Sequence, residues 1–337
     1  MFKSFHTIRD TLNKLALLPK HVQKMQSQLN YIHAALEEHR RETRVLYNSV
    51  ALPGDAVWRG RPAMIEGEPA KSAFPRSSPC RQSSFEEPYF AYWTQRLGEP
   101  LRYHRKLWEF VFICQALHER KVIRPGARGL GFGVGSEPLS AFFASQGCQI
   151  LATDMDVTAA EQMGWTATNQ HAVGKEALRK PALCPDDLFD RNVDFRPCDM
   201  NQVPDDLVDF DFCWSACALE HLGSIEQGLA FIERSIDCLK PGGWAIHTTE
   251  FNTASNTDTI DNLGTVLFRK RDFQTLAARL KAKGHKVVPF DFNVGDGPID
   301  RFIDVPPYRA QPHLHMVLSG FSTTSFGIIV RRGAQSR

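Results

Sequence analysis

Short apolar segments alternate with amphipathic ones from about residue 100 onward in this 337-residue chain, and this alternation constrains the fold more than any other feature. Strand, helix and strand repeated within one region predict a mostly parallel sheet with helices on both faces. We therefore expect the α/β fold class: a Rossmann-like, doubly wound, mostly parallel seven-stranded sheet behind an N-terminal helical arm. The predicted strands are residues 127–131, 149–153, 192–196, 209–214, 243–249, 286–292 and 323–331, and the predicted helices are residues 136–146, 157–169, 222–239 and 270–283.

Residues 1–50 contain a heptad repeat that predicts a coiled-coil arm. Two apolar rows are offset by three residues, which is the spacing of an a/d seam. Such a helix either joins copies of the chain into a homo-oligomer or packs on its own domain, and we favour the homo-oligomer. The first row is Leu15, Val22, Leu29 and Leu36, and the second is Leu18, Met25, Ile32 and Leu46, with His39 interrupting it.

The segment before Pro19 has a second pattern. Phe2, Phe5, Ile8 and Leu12 share one helical face, and most of the basic residues lie elsewhere. A basic amphipathic helix can lie in a membrane interface, which predicts peripheral membrane contact. The alternative is that these residues form the first turns of a packed helix.

Three regions follow the arm. Residues 51–99 carry six prolines up to Pro88, which predicts a Pro-rich linker or a lid that orders over the active site. Residues 100–332 are the expected catalytic domain. Within it, residues 293–320 form an insertion between the last two predicted strands, and a long connection at that point can cover the acceptor pocket.

Composition excludes several classes of protein. A formal net charge of +2 gives no reason to expect nucleic acid as a partner. No apolar run approaches the roughly 20 residues that a membrane span needs. The eight cysteines form no C-x-x-C pair and no cluster with zinc spacing, so we expect no metal site and reduced thiols. Reduced thiols indicate a cytoplasmic protein.

The strongest local motif is the glycine-rich segment that begins at Gly129 and ends at Pro138. It places glycines at 131, 133 and 135, where backbone can approach a nucleotide closely. The dinucleotide fingerprint G-x-G-x-x-G, started at Gly131, requires a third glycine where the chain has Ser136. The spacing therefore fits a nucleotide ligand without a pyrophosphate better than a dinucleotide.

The next predicted strand ends at Asp154. An acid at the carboxyl end of the second strand, about 20 residues after the glycine turn, is where such sheets bind ribose hydroxyls. A carboxylate can accept both hydroxyl hydrogens. We choose Asp154 over Asp156, which is also placed to cap the following helix.

Three further segments, in the order expected, resemble the class I S-adenosylmethionine-dependent methyltransferases. They are residues 194–204, 212–222 and 238–244, and the resemblance extends over roughly residues 100–332. It implies S-adenosylmethionine as cofactor and a contact between Asp199 and the adenine amino group. One departure is that position 129 is glycine where the family usually has an acid, and Glu137 is the nearest acid to the turn. The cofactor-binding residues that the resemblance implies are Gly131, Gly133, Gly135, Asp154, Met155, Asp199, Met200 and Ser215.

The loop after the fourth strand contains Glu220 and His221, which we expect to be catalytic. Methyl transfer to a hydroxyl needs a base, and a histidine has an ordinary pKa near the working pH. Glu220 is placed to orient His221 or to contact the sulfonium end of the cofactor. The alternative is a structural pair at a helix start. Further pocket candidates are His247, Glu250 and Asn252 at the exit of the fifth strand.

The insertion is expected to supply the acceptor side. Tyr308 and Arg309 can bind a polar or anionic acceptor. His313 and His315 lack a third ligand, so a metal site there is not expected.

These features predict methyl transfer to an oxygen of a polar acceptor. The combination of motifs is similar to bacterial methyltransferases associated with surface polysaccharides or glycans, which implies a sugar or glycan acceptor. Two other classes stay open: a non-catalytic scaffold that binds the cofactor and recruits a partner through the coiled coil, and a nicotinamide-dependent oxidoreductase. Ser136 argues against the oxidoreductase.

Overall fold

The computed structural model describes residues 18–37, 39, 67–71, 76–156, 171–262 and 264–334, in two compact units, 1–50 and 51–337. In the first unit, residues 18–37 are helical. Residues 1–17, which hold the predicted membrane-contact face and Leu15 of the seam, lie outside the described residues, and so does Leu46. Among those that are described, no helix is both long enough and apolar enough to cross a bilayer. The apolar side chains of the predicted seam are exposed at Leu18, Val22, Met25, Leu29, Ile32 and Leu36.

The second unit contains the sheet and the helices that cover it. The strands are β1 Arg128–Phe132, β2 Gln149–Asp154, β3 Val193–Pro197, β4 Phe210–Ala216, β5 Leu239–Asn252, β6 Lys286–Val287, β7 Ile303–Asp304, β8 His315–Leu318 and β9 Phe321–Arg331. The helices are α1 Gln82–Phe85, α2 Pro88–Arg96, α3 Arg105–Glu119, α4 Leu139–Ser145, α5 Asp186–Asn192, α6 Ile225–Asp237, α7 Lys270–Ala282 and α8 Pro298–Arg301.

The sheet has the order β3-β2-β1-β4-β5-β9-β8-β7, and β6 also pairs with β9. The pairs from β3 to β5 are parallel, and β9 runs antiparallel to β5. This order reverses direction between β1 and β4, which opens a crevice at the carboxyl edge where ligands bind in such sheets. The predicted Rossmann-like fold class is confirmed.

The described part of the sheet has nine strands, whereas the sequence predicts seven. The additional strands, β7 and β8, form inside the predicted insertion. Ser319 and Gly320 both have positive φ, so they make a tight turn that folds β8 back onto β9. The predicted strand 286–292 is shorter than expected, because regular pairing with β9 stops at Val287.

Three predicted helices correspond to α4, α6 and α7. Helix α4 begins at Leu139, later than the predicted residue 136, because the turn before it contains Gly133 and Gly135 at positive φ. Helix α6 begins at Ile225, where the Ser224 side chain caps it by accepting from the backbone of Gln227. The predicted helix 157–169 lies outside the described residues.

Residues 76–99 are not the linker or lid that the proline content predicts. They contain α1 and α2, and Phe90 and Trp93 are buried in the core. The Trp93 indole also donates a 2.6 Å hydrogen bond to Gln115 of α3. Pro88 is the first residue of α2, where a missing backbone N–H has no cost. The prolines therefore mark helix starts and strand edges here, and not irregular chain.

Large aromatic side chains of β4 pack over the glycines of β1. Gly129 pairs with Phe212, and Gly131 pairs with Trp214. A Cβ atom on Gly129 would lie 2.5 Å from Cζ of Phe212 and 2.8 Å from Cδ1 of Ile150. Glycine is therefore required in β1 by packing, which explains why this central strand lacks β-branched residues.

We expect Gly129→Ala to lower the free energy of unfolding by about 1–3 kcal/mol, because its methyl group would force Phe212 or Ile150 out of place. Urea unfolding measures the change. Gly174→Ala is the matched control, because a Cβ there meets no atom within 4 Å and the backbone is extended. Equal stability of the two variants would contradict this account of β1.

Candidate active site

A cavity of about 370 Å³ opens at the carboxyl edge of the sheet, at the crevice beside β1, β2 and β4. Its position is the one at which open α/β sheets bind ligands. The turn after β1 and the residues that follow β2, β3 and β4 form most of its wall. The lining residues are Glu99, Lys106, Phe110, Gly133, Val134, Gly135, Ser136, Glu137, Pro138, Asp154, Met155, His171, Cys198, Met200, Ala216, Cys217, Ala218, His221 and Leu222.

The glycine turn brings bare backbone to the cavity at Gly133 and Gly135. Both have positive φ, which favours glycine. A Cβ atom on Gly133 would lie 2.8 Å from Cβ of Ala218 and 3.2 Å from Sδ of Met200. The predicted residue Gly131 has a different position: it lies inside β1 against Trp214 and does not line the cavity.

Asp154 holds the turn in place. Its Oδ2 accepts hydrogen bonds from the backbone N–H of Gly135 at 2.9 Å and of Ala172 at 3.0 Å, and its Oδ1 accepts from Met155 at 2.8 Å. A carboxylate that accepts three backbone N–H groups holds those peptide units in one arrangement. Asp154 therefore fastens the glycine turn to the end of β2 and to residue 172.

Met155 and Met200 line the cavity, but two other predicted cofactor residues do not. The Asp199 carboxylate caps a short turn by accepting from the backbone of Asn201 at 2.8 Å. Ser215 is fully buried, and its hydroxyl lies 2.8 Å from Nδ1 of His247. Both side chains are thus used in local structure.

The candidate His247 belongs to the core. Its Nε2 lies 3.0 Å from the hydroxyl of Ser235, so the ring connects β4 and β5 to α6. Burial lowers the pKa of His247 to about 3, and the ring stays neutral at physiological pH. The sequence places His247 on a strand near the site. Successive side chains of a strand point to opposite faces of the sheet, and His247 points into the core.

His221 lines the cavity, and Glu220 lies behind it. Nδ1 of His221 is 3.1 Å from the carbonyl oxygen of Gly264, so Nδ1 carries the hydrogen and the basic lone pair lies on Nε2. Nε2 is 4.0 Å from Oε1 of Glu220. The other oxygen of Glu220 accepts from Thr249 at 3.1 Å, and burial raises the pKa of this carboxyl.

A buried charge network forms the wall beside His221. Nζ of Lys106 lies 3.0 Å from Oε2 of Glu109 and donates to the carbonyl of Ala216 at 3.1 Å. Glu109 also accepts from the thiol of Cys217 at 3.0 Å and from the hydroxyl of Ser325 at 2.6 Å. Burial alone would raise the pKa of Glu109, but Lys106, Arg105 and these hydrogen bonds hold it below its usual value.

Sequence reasoning missed Lys106 and Glu109. The signal was present, because Glu109 stands inside an otherwise apolar stretch of α3, between Trp108 and Phe110. A charge on the buried face of a helix requires a partner, and Lys106 lies one turn earlier. Such a pair next to a ligand-binding edge is a reason to expect function there.

The candidates Glu250 and Asn252 lie outside the cavity wall. Glu250 forms an ion pair with Arg105 and accepts from Thr323 at 3.0 Å. Asn252 donates to the carbonyl of Asp258 at 3.0 Å. Within the described ranges, Cys217, Glu220 and Glu250 are close enough to share a metal ion, but Arg105 already neutralises Glu250.

The insertion 293–320 does not cover this cavity, contrary to the prediction. None of its residues lines the wall, because β7 and β8 extend the sheet beyond β9, several strands away from β1. Tyr308 and Arg309, which were expected to bind the acceptor, have partners within the insertion, and so does His313. The Tyr308 hydroxyl donates to the carbonyl of Val317, the Arg309 guanidinium stacks over Phe302, and Nδ1 of His313 lies 2.7 Å from Asp304.

Residues 130–247 match the protein-family model described as "Methyltransferase domain". The match runs from β1 to the middle of β5 and includes the glycine turn, Asp154 and His221. The resemblance to methyltransferases noted in the sequence is confirmed over this segment. A comparison with curated proteins finds no match.

Several solved structures are similar to the chain. A putative sarcosine dimethylglycine methyltransferase from Galdieria sulphuraria is 14% identical, with a TM-score of 0.43, over 73% of this chain and 98% of that one. TehB from Haemophilus influenzae is 13% identical, with a TM-score of 0.40, over 74% and 68%. Magnesium protoporphyrin IX methyltransferase from Synechocystis PCC 6803 with bound SAH is 12% identical, with a TM-score of 0.39, over 75% and 96%. The fold assignment depends on the sheet order and not on these weak likenesses.

We expect Asp154→Asn to lower the free energy of unfolding by about 1–3 kcal/mol without any ligand present. The amide oxygen can accept at most two of the three backbone N–H groups, and the new NH₂ group would face a donor. Urea unfolding and faster hydrogen exchange at the Gly135 amide measure the effect. Asp194→Asn, on an exposed residue of β3, is the control. An unchanged Gly135 amide would refute the anchoring role.

Proposed function

We propose that this protein is an S-adenosylmethionine-dependent methyltransferase that methylates a hydroxyl of a polar acceptor, such as a sugar or glycan. One observation carries the proposal: the crevice cavity, with its glycine turn fastened to Asp154, lies within the segment that matches methyltransferase domains. S-adenosylmethionine supplies a methyl group already activated by a sulfonium. The protein then has to bind the cofactor and the acceptor, orient them and accept a proton from the acceptor hydroxyl.

The residues present fit this cofactor. The cavity volume lies within the range of about 300–1,000 Å³ that small-molecule sites occupy. Gly133 leaves the backbone bare where a Cβ would fill the space between Ala218 and Met200. A carboxylate offers about four acceptor positions, and backbone uses three at Asp154, so one ribose hydroxyl can be held there and not two.

His221 is the base in this proposal. Its Nδ1 is committed to the carbonyl of Gly264, which leaves Nε2 to take the hydroxyl proton of the acceptor. The Glu220 carboxyl, 4.0 Å from Nε2, then stabilises the imidazolium that forms. A positioned base of this kind contributes about 10²–10⁴-fold to the rate.

Lys106 is placed to stabilise the acceptor oxygen as it loses its proton. An ammonium has three donors, and two of those on Lys106 point to Glu109 and to the carbonyl of Ala216. The remaining donor can meet an oxygen in the cavity that Lys106 lines. Because Glu109 keeps Lys106 charged, this residue acts as a fixed positive group and not as a base.

The arm supports a second proposal, that the chain forms a homo-oligomer. A second copy of the same helix fits because Val22, Leu29 and Leu36 recur by sevens with Leu18, Met25 and Ile32, and all six are exposed. The flanking positions Gln26 and Gln28 carry no charge, so identical helices do not repel one another there.

Calorimetric titration with S-adenosylmethionine, with NAD as control, tests the enzyme proposal. We expect micromolar binding by the wild-type protein, loss of binding in Asp154→Ala and no binding of NAD. His221→Gln should bind the cofactor within about twofold of wild type, while methyl transfer to a panel of mono- and oligosaccharides falls about 10²–10⁴-fold. His285→Gln, outside the cavity, is the matched control. Failure of the folded wild-type protein to bind S-adenosylmethionine would refute the enzyme proposal, whereas binding without turnover on any acceptor would favour the scaffold alternative.

For the arm, we expect Leu29→Asp to convert the wild-type oligomer into a monomer at micromolar concentration, because a charge in an apolar seam loses its solvation. Sedimentation velocity measures the mass. Ser27→Asp is the matched control, since Ser27 lies on the opposite face of the same helix. A monomeric wild-type protein would refute the proposal.

A further inference from the structure

We infer that Glu137 is the carboxylate that receives the ammonium group at the methionine end of the cofactor. This inference rests on the proposed function, because it assigns a contact within the same site. Glu137, just before α4, would supply the acid that the glycines of β1 cannot supply.

Strand β1 cannot carry the acid. At Gly131 a Cβ atom would lie 2.5 Å from Cζ2 of Trp214 and 2.5 Å from Cγ1 of Val134. At Gly129 it would lie 2.5 Å from the ring of Phe212. Both positions that lie next to the turn are therefore filled by aromatic rings of β4, and a longer acidic side chain is excluded from each.

The same ring that excludes an acid from Gly131 holds Glu137. Nε1 of Trp214 donates a 2.6 Å hydrogen bond to Oε1 of Glu137, and Trp214 is completely buried. Glu137 is itself 8% exposed and lines the cavity. Its backbone N–H bonds to the carbonyl of Val134, so the side chain is fixed at the exit of the glycine turn.

The other acids of the cavity wall have partners that occupy them. The described lining contains three acids, Glu99, Glu137 and Asp154. Asp154 already accepts from three backbone N–H groups, and Glu99 pairs with Arg102 at 3.2 Å. Within the described wall, Glu137 is thus a buried carboxyl that no lysine, arginine or histidine approaches within ion-pair distance.

A cation entering the cavity would change the protonation of Glu137. Burial raises the pKa of Glu137 to about 8, against the opposing effects of the Trp214 hydrogen bond and of Lys106. The carboxyl is therefore mostly neutral at pH 7 in the free protein. An ammonium group favours the charged form, so binding releases about one proton below pH 8. The titratable groups that face it are Lys106, Glu109 and Cys114 on α3 and Asp154 on β2.

Calorimetry with three probes tests the assignment. S-adenosylmethionine has two cationic groups, the ammonium and the sulfonium. S-adenosylhomocysteine keeps the ammonium and lacks the sulfonium, and 5′-methylthioadenosine has neither cation. We expect Glu137→Gln to weaken binding of S-adenosylmethionine and S-adenosylhomocysteine by about 10- to 100-fold and to leave binding of methylthioadenosine unchanged. Titration at pH 7 in buffers of different ionisation enthalpy should show release of about one proton in the wild-type protein and none in the variant. Glu226→Gln, on the surface, is the matched control and should behave as wild type.

A measurement on the wild-type protein covers the case in which Glu137→Gln does not fold. The indole N–H of Trp214 donates to Glu137, so its NMR shift reports the ionisation of that carboxyl. At pH 7 the shift should move to the high-pH limit on adding S-adenosylhomocysteine and not on adding methylthioadenosine. Wild-type binding that Glu137→Gln leaves intact, or equal weakening of all three probes, would overturn the inference. A wild-type protein that binds no probe would overturn the proposed function instead.

Discussion

The site depends on the hydrogen bonds between Asp154 and the backbone of Gly135, Met155 and Ala172. A glycine-rich turn loses more conformational entropy on ordering than any other segment, so an anchor is needed to hold it in one shape. Asp154 provides this anchor from the end of the neighbouring parallel strand. In the proposed function the same carboxylate also meets the ligand, and the two roles compete for its lone pairs. This competition is the reason that we assign only one ribose hydroxyl to it.

Packing between β1 and β4 sets the other limit on the site. Phe212 and Trp214 fill the space beside Gly129 and Gly131, so neither of these two positions of β1 can carry an acidic side chain. Trp214 compensates by donating to Glu137, which carries the acid from the opposite side of the turn. The glycine at position 131 and the position of the acid are thus connected, because both depend on the Trp214 ring. A change at either strand would require a change at the other.

The sequence predicted those parts that follow from periodicity and strand ends. Alternation predicted a doubly wound, mostly parallel sheet, and the ends of strands predicted positions near the ligand edge for Gly133, Gly135, Asp154 and His221, which line the cavity. The sequence did not predict which way a side chain at a strand end faces, toward the cavity or toward the core. Ser215 lies beside the site in sequence, but it is fully buried and its hydroxyl lies within hydrogen-bond distance of His247. The prediction also failed where proline content suggested irregular chain, because proline is equally suited to helix starts.

The two ends of the cavity come from different parts of the chain. The cofactor end is built from residues 133–200, which lie inside the segment shared with methyltransferase domains. The wall also contains Glu99, Lys106 and Phe110, which precede that segment. We therefore propose that residues before β1, and not the insertion after β6, contact the acceptor. In this proposal Lys106 and Phe110 of α3 meet the acceptor, while the glycine turn and Asp154 meet the cofactor.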